Sequence, residues 1–245
     1  MSKIATLIYG LVCYVMFLGV FLYLIGFLGN FPDAIPKSID SGVEGALAMA
    51  LVVNVLLLAV FGVQHTVMAR PTFKRWWTKI VPAPVERSTY VLITNLLLAL
   101  LVWQWRPMVG VIWNVDNSIG RVILWALFGA GWLLVLVATL QINHLDLFGM
   151  RQVWLYFQGK PYTPVQLATP VLYKHVRHPL YVGWLTVFWV TPTMSAGHLV
   201  FAVGSTIYIL IAIYFEERNL VQYHGEGYVE YRQRTPMLIP RPWQR

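Results

Sequence analysis

The stretch LIYGLVCYVMFLGVFLYLIGFLG (residues 7–29) carries no charge anywhere along its length. A helix needs about 20 mostly apolar residues to cross the hydrocarbon core of a bilayer, and this run supplies them without interruption. A helix on the surface of a water-soluble domain would show one polar face, and here there is none. No small-residue cleavage site follows, so the run reads as a retained span.

The rest of the chain reads the same way. Of its 245 residues, 58% are hydrophobic and only 11% charged, and the mean hydropathy is +0.62. Soluble domains carry about a quarter charged residues, so the charge that would solvate a globular surface is missing. Apolar runs at 46–63, 88–105 and 122–141 predict three more spans, with Asn54 the one strongly polar residue inside the first of them. Two shorter runs, 181–194 and 199–215, are divided by TPTMSAGH, where Pro192 and Gly197 interrupt a continuous helix. These predict a tight helical hairpin. The expected fold class is all-α: a polytopic integral membrane helical bundle of five to six spans with a cytoplasmic cap. One domain is expected over 1–245, with four spans in about 7–141 and the hairpin and tail in about 142–245.

Loop charges predict an orientation. Segment 33–44 has three acidic residues and one lysine, whereas 70–87 has five basic residues against Glu86. Loop 143–177 and tail 232–245 are basic again. Basic loops stay in the cytoplasm, which places both termini there. Six crossings satisfy that parity; five require one of the last two runs to be re-entrant. The net charge of +8 then faces anionic lipid. Nucleic acid is not expected, because the basic residues are dispersed over separate loops. Cys13, the single cysteine, excludes a disulfide framework or a cysteine metal site. No obligate protein partner is inferred.

Ionisable residues beside membrane helices are costly and mark functional candidates. Three clusters qualify. In LYKHVRHPLYVGWL (172–185), the residue before proline is pushed out of the α region and proline suits a first helical turn. His178 therefore sits just outside a helix that starts at Pro179. The unpaired N–H groups of that helix face the same place as Arg177 and His178, which suits a carboxylate or phosphate. Tyr181 lies one turn on, and Gly183 leaves the backbone open to a flat group. A basic anchor on lipid phosphates, through Lys174 and Arg177, reads as well from residue types alone.

The second cluster is YFEERNLVQYHGEGYVEYRQRTPMLIP (214–240). Glu216 and Glu217 end the last apolar run, an unfavourable place for negative charge if the helix stops there. Arg218 is the expected partner of one, leaving the other for a cation such as an ammonium. Gly225 and Gly227 break the chain before Tyr228, Tyr231 and Arg232, with the two tyrosines on one helical face. The third cluster, TLQINHLDLFGMRQVW (139–154), puts Asn143, His144, Asp146, Arg151 and Gln152 just after the fourth span. His65 ends the second span on the same expected side. No H-E-x-x-H or comparable ligand spacing occurs, so no metal is expected.

The ordered set Arg177-His178-Pro179-x-Tyr181-x-Gly183, Glu216-Glu217-x-x-Leu220, Gly225-x-x-Tyr228-x-x-Tyr231 and Pro236 resembles the isoprenylcysteine carboxyl methyltransferase and phospholipid methyltransferase superfamily. Membrane sterol reductases share an R-H-P-x-Y-type element, so a nicotinamide-dependent reductase is the rival; the Glu216-Glu217 pair favours the methyltransferases. Upstream, IPKSID (35–40), QHTVMARPTFKRWWT (64–78), ERSTYVL (86–92) and INHLDLFGMRQVW (142–154) look like bacterial methanethiol S-methyltransferases. The resemblance implies an enzyme of the bacterial inner membrane that transfers methyl from S-adenosylmethionine to methanethiol, releasing dimethyl sulfide. A different thiol or a lipid is the alternative acceptor. On the matching positions, Arg177, His178 and the helix start would hold the donor's carboxylate, and Glu216 or Glu217 its ammonium. Tyr181, Tyr228 or Trp184 would face adenine or the sulfonium, with Gly183 and Arg232 completing the cofactor set. Thiolate is the nucleophile, and even cysteine ionises only near pH ~8.5. His144, Asp146 or His65 is the expected proton acceptor.

Overall fold

A computed structural model describes residues 1–165 and 169–240. Residues 166–168 of the fourth loop and 241–245 of the basic tail lie outside the described residues. The elements in order are α1 (Lys3–Gly29), α2 (Leu47–Met68), α3 (Pro71–Trp77), α4 (Ala83–Gln104), β1 (Val111–Asn114), α5 (Ser118–Ile142), α6 (His144–Leu147) and α7 (Met150–Phe157). They continue with α8 (Val171–His175), α9 (Pro179–Trp189), β2 (Thr193–Ser195), α10 (Ala196–His224) and α11 (Glu226–Arg234). Among the described residues five helices, α1, α2, α4, α5 and α10, are long and apolar enough to cross a membrane.

Two compact units divide the chain: 1–110 with 143–165 and 195–201, and 111–142 with 166–194 and 202–245. Both are discontinuous in sequence. In the first unit, α1 begins where the Ser2 hydroxyl accepts from the Ala5 amide at 3.1 Å, and it ends at left-handed Asn30. Ile4, Ile8, Leu11, Val15, Leu18 and Leu22 form an exposed stripe at helical spacing, while Thr6, Gly10 and Cys13 are buried. That is the reverse of a soluble helix: the apolar face points to lipid, and small residues let neighbours approach. Gly10 lies against Val153 of α7, close enough that a Cβ would meet Val153 Cγ2 at 2.6 Å. Asn54, fully buried in α2, donates to the Arg106 carbonyl at 2.8 Å and accepts from the Arg106 amide at 2.9 Å. Its amide thus satisfies the backbone that leaves α4, which a polar group inside a span must do.

The second unit is built on α5 and α9. Gly131 and Gly183 face each other, and a Cβ on Gly183 would lie 2.9 Å from the Val135 amide nitrogen and 3.0 Å from the Gly131 carbonyl. The close approach that Gly183 allows is therefore between helices. The segment runs antiparallel to α5: Leu172 N bonds Gln141 at one end, and Thr193 Oγ1 donates to Asn114 at the other. The hairpin expected at 181–194 and 199–215 takes a different form. α9 has 11 residues, about 16 Å of helix against a hydrocarbon core of about 30 Å. It stops because Thr191 precedes Pro192, which disfavours the α region. The chain continues in extended form, and the Val115 amide donates to the Pro192 carbonyl at 2.9 Å. Trp113 Nε1 donates to the Thr191 carbonyl at 3.2 Å. Thr191 and Met194 are buried. Non-helical backbone at membrane depth is tolerated only when so shielded. Helix plus extended run together retrace the length of α5.

α10 overruns the expected end at 215 by more than two turns, to His224. It stops at Gly225, whose φ is +60°. Glu216 and Glu217 are thus inside a helix, about 30 Å along it from Ala196, and not at its C-terminus. Gly227 does not break the chain; it lies within α11.

Candidate active site

The second unit gathers most of the residues singled out as cofactor contacts. His178 is the N-cap residue of α9, with Pro179 in the first turn, and its side chain does not cap the helix. It turns to α10 instead, where His178 Nε2 lies 3.1 Å from Glu217 Oε1. Arg177 Nε donates to the same oxygen at 2.7 Å, and its Nη1 donates to the carbonyls of Arg232 and Thr235. Arg232 Nη1 is 3.9 Å from Glu217 Oε2. Glu217 is nearly buried, and so are Arg177 and His178. Glu216 accepts from the Tyr181 hydroxyl at 2.8 Å. The expected partner Arg218 instead donates to the Tyr214 hydroxyl one turn back, at 3.1 Å.

The tail closes this cluster from below. The Arg177 and His178 amides donate to the Pro236 and Met237 carbonyls at 2.9 and 3.2 Å. Tyr228 is 2% exposed and meets Tyr231 edge-on at 5.7 Å. Tyr231 donates to the Tyr173 carbonyl at 2.6 Å. Burial, followed by the negative charge of Glu217 and Glu216, pushes the Tyr228 phenol up. Burial pushes Tyr231 up to about 12, so both remain protonated donors at neutral pH. Trp184 sits edge-on to Trp132 at 5.2 Å and stacks on Phe188 at 5.7 Å. Like Gly183, it is committed to helix packing.

The first unit holds the other three candidates. Asn143, with φ of 149°, caps α6 through its side chain, which accepts from the Asp146 amide. His144 Nε2 is 2.8 Å from the Tyr14 hydroxyl of α1. Its ring lies among Tyr14, Phe17 and Phe148, and burial lowers its pKa, favouring the neutral imidazole. Asp146 accepts from Arg151 Nη1 at 2.9 Å and from the Tyr162 hydroxyl at 3.3 Å. Gln152 Nε2 donates to the Asp146 carbonyl at 3.1 Å. His65 lies in α2, with Nδ1 3.3 Å from the Thr94 hydroxyl and its ring stacked on Phe61 at 5.4 Å.

Sequence reasoning did not single out Tyr14, Tyr162, Tyr173 or the Thr235 carbonyl. Tyr14 is one of three phenols in an apolar span, and such a residue asks for a polar partner; that signal was available. The carbonyl contacts have no signature in residue types.

A polytopic bundle with lipid-facing apolar stripes and, in its second unit, a nearly buried cluster of carboxylates, arginine, histidine and phenols defines an integral membrane protein with a polar cluster. Over 240 residues the chain is 54% identical to a methanethiol S-methyltransferase of Crocosphaera subtropica, covering 98% of this chain and 93% of that one. It is 51% identical over 242 residues to a methanethiol S-methyltransferase of Mycobacterium tuberculosis, covering 99% and 98%. A more distant likeness, 30% over 220 residues, is to Nurim of Bos taurus, covering 86% and 81%. No protein-family model matches the chain, and no solved structure does. The chain belongs to the methanethiol S-methyltransferase family.

Proposed function

We propose that this protein methylates the sulfur of methanethiol, with S-adenosylmethionine as donor, and releases dimethyl sulfide at the cytoplasmic face of a bacterial inner membrane. The observation that carries this reading is near full-length identity of about half to relatives of that name, over a chain that contains both polar clusters. When bound, the donor supplies a methyl group on a cationic sulfonium. The residues present fit such a molecule: Glu216 and Glu217 impose a negative field that already reaches the Tyr228 phenol. That field favours a sulfonium and an ammonium.

The charge roles differ from a simple division into a basic and an acidic end. Arg177 and His178 hold Glu217 by direct bonds, so their part is to fix its carboxylate. Arg232 is about half exposed and 3.9 Å from that carboxylate, which leaves its guanidinium able to meet a ligand carboxylate. Tyr181 orients Glu216. A nearly buried, preorganised centre of this kind strengthens each of these contacts.

Methyl transfer would make a bond from the methanethiol sulfur to the methyl carbon while the methyl–sulfonium bond breaks, its electron pair leaving with S-adenosylhomocysteine, and the thiol proton passes to a base. His144 is the better base of the three candidates in the first unit. Asp146 is held by Arg151, and its part is to anchor the loop that carries His144. His65 is placed by Thr94 and Phe61. The acting form of His144 is the neutral imidazole, and its lowered pKa keeps that form present at lower pH than for an ordinary histidine. Activity should therefore hold as pH falls into the mildly acid range and fail only below it. His144→Ala should lower the rate at neutral pH about a hundredfold and recover as rising pH ionises the thiol directly. An unchanged pH–rate profile in the variant removes His144 from this role.

The positive-inside rule places both termini in the cytoplasm, and counting α9 with its extended continuation as a crossing gives the even number this needs. The test of the function is an assay of the purified protein in detergent or liposomes with S-adenosylmethionine and a panel of thiols and lipids. Dimethyl sulfide in the headspace is the expected product. Methyl transfer to no small thiol overturns the proposal.

A further inference from the structure

The first unit has a crevice that neither polar cluster uses. It lies between the C-terminal halves of α1 and α4, has a volume of about 380 Å³, and includes Gly19, Tyr23, Lys37, Ala99, Val102 and Trp103 in its lining. Its walls are apolar and it is open at Gly19, where a Cβ would meet nothing within 4 Å. One end carries fixed positive charge. The Tyr23 hydroxyl is 3.1 Å from both the backbone nitrogen and the backbone oxygen of Lys37, and Lys37 Nζ donates to the Trp103 carbonyl at 2.6 Å. The lysine is thus held at both ends. A carbonyl takes one of the three ammonium donors and leaves two.

A second cation stands close by. Arg106 lies three residues beyond the Trp103 carbonyl that Lys37 holds, its backbone fixed by Asn54, and its charge adds to burial, the larger cause, in lowering the pKa of Lys37. Among the described residues neither Lys37 nor Arg106 is in an ion pair. Asp40, the nearest acid in sequence, accepts from Asn30 and Ser195 instead. Two like charges held together without a carboxylate favour an anion between them. Exposed Trp103 marks the headgroup level, where indole rings settle.

We infer that this crevice is a binding site for an anionic phospholipid, one acyl chain lying in the groove and the phosphate held by Lys37 and Arg106. A lysine that merely caps the last carbonyls of α4 accounts for the Trp103 bond but not for the groove or for Arg106.

Native mass spectrometry of the delipidated full chain, titrated with phosphatidylglycerol or phosphatidylcholine, tests the site. Each basic residue near a membrane surface contributes about fivefold in affinity for anionic lipid. Phosphatidylglycerol should bind in preference, and Lys37→Gln with Arg106→Gln should remove most of that preference. Gly19→Leu fills the groove and keeps both charges, so it should reduce retention of phosphatidylglycerol while the protein stays folded. Inorganic phosphate at the same concentration should not displace the lipid. Equal binding of the two lipids, unchanged retention in Gly19→Leu, or displacement by phosphate alone each overturns the inference. If the double variant does not fold, Gly19→Leu decides.

Discussion

Glu217→Gln is expected to abolish measurable methyl transfer, with a loss of about a hundredfold or more. The carboxylate accepts from Arg177 at 2.7 Å and lies 3.1 Å from His178, and all three groups are nearly buried. Removing one partner of a buried ion pair costs about 3–5 kcal/mol, because the other charge is left uncompensated. The two carbonyls that also accept from Arg177 soften that cost and keep the variant folded. Glu216→Gln keeps an acceptor for Tyr181 and loses its share of the negative field, and should cost about tenfold. Measuring donor affinity by calorimetry beside the melting temperature separates the two roles. If Glu217→Gln binds donor and turns over like the unaltered protein, the carboxylate has no part in the site.

Gly149→Ala should be the most damaging small substitution in the first unit. Gly149 has a φ of +87°, and a Cβ there would stand 2.7 Å from the Ser88 amide nitrogen and 3.0 Å from its Cα. A left-handed alanine costs roughly 1–2 kcal/mol by itself, and an overpacked contact adds about 1–3 kcal/mol. Backbone atoms of a spanning helix cannot step aside as a flexible side chain would. The neighbouring Ser88 hydroxyl donates to the Gly149 carbonyl at 3.4 Å, and Arg87 Nε donates to the Leu147 carbonyl at 2.7 Å. The clash therefore falls on the joint that carries His144 and Asp146. The expected result is a melting temperature several degrees lower in detergent and a loss of activity larger than the loss of folded protein. A variant with both unchanged contradicts the packing described for Gly149.

Composition made the spans legible, because the bilayer demands long apolar runs and leaves little else to decide. α1, α2, α4 and α5 fall within a few residues of the runs that announce them. α10 was harder. Its last turns, ERNLVQYH, are too polar to read as a span, so hydropathy stopped at Phe215 while hydrogen bonding did not. α9 failed in the other direction, since Thr191-Pro192 ends the helix inside an apolar run. In the polar clusters, residue types did not give the pairing. Glu217 and Arg218 are neighbours in sequence, yet successive helix residues point in different directions, and the arginine that reaches Glu217 is 40 positions away. His144 and Tyr14 are 130 apart. Such contacts depend on how helices stack, which no local spacing encodes.

The short helix α9 bears on how the protein is assembled during synthesis. A segment of 11 helical residues followed by Thr191 and Pro192 lacks the length by which a translocon commits a segment to lipid. Its extended part has bare backbone until the 113–115 region of the neighbouring strand is there to bond it. The segment must therefore enter after α5, sliding along the Gly131 face already in place, and together with α10 rather than before it. A ribosome stalled between α9 and α10 would hold a chain whose later pass is not yet in the membrane. The shortness of α9 thus bears on the order in which the protein can be built.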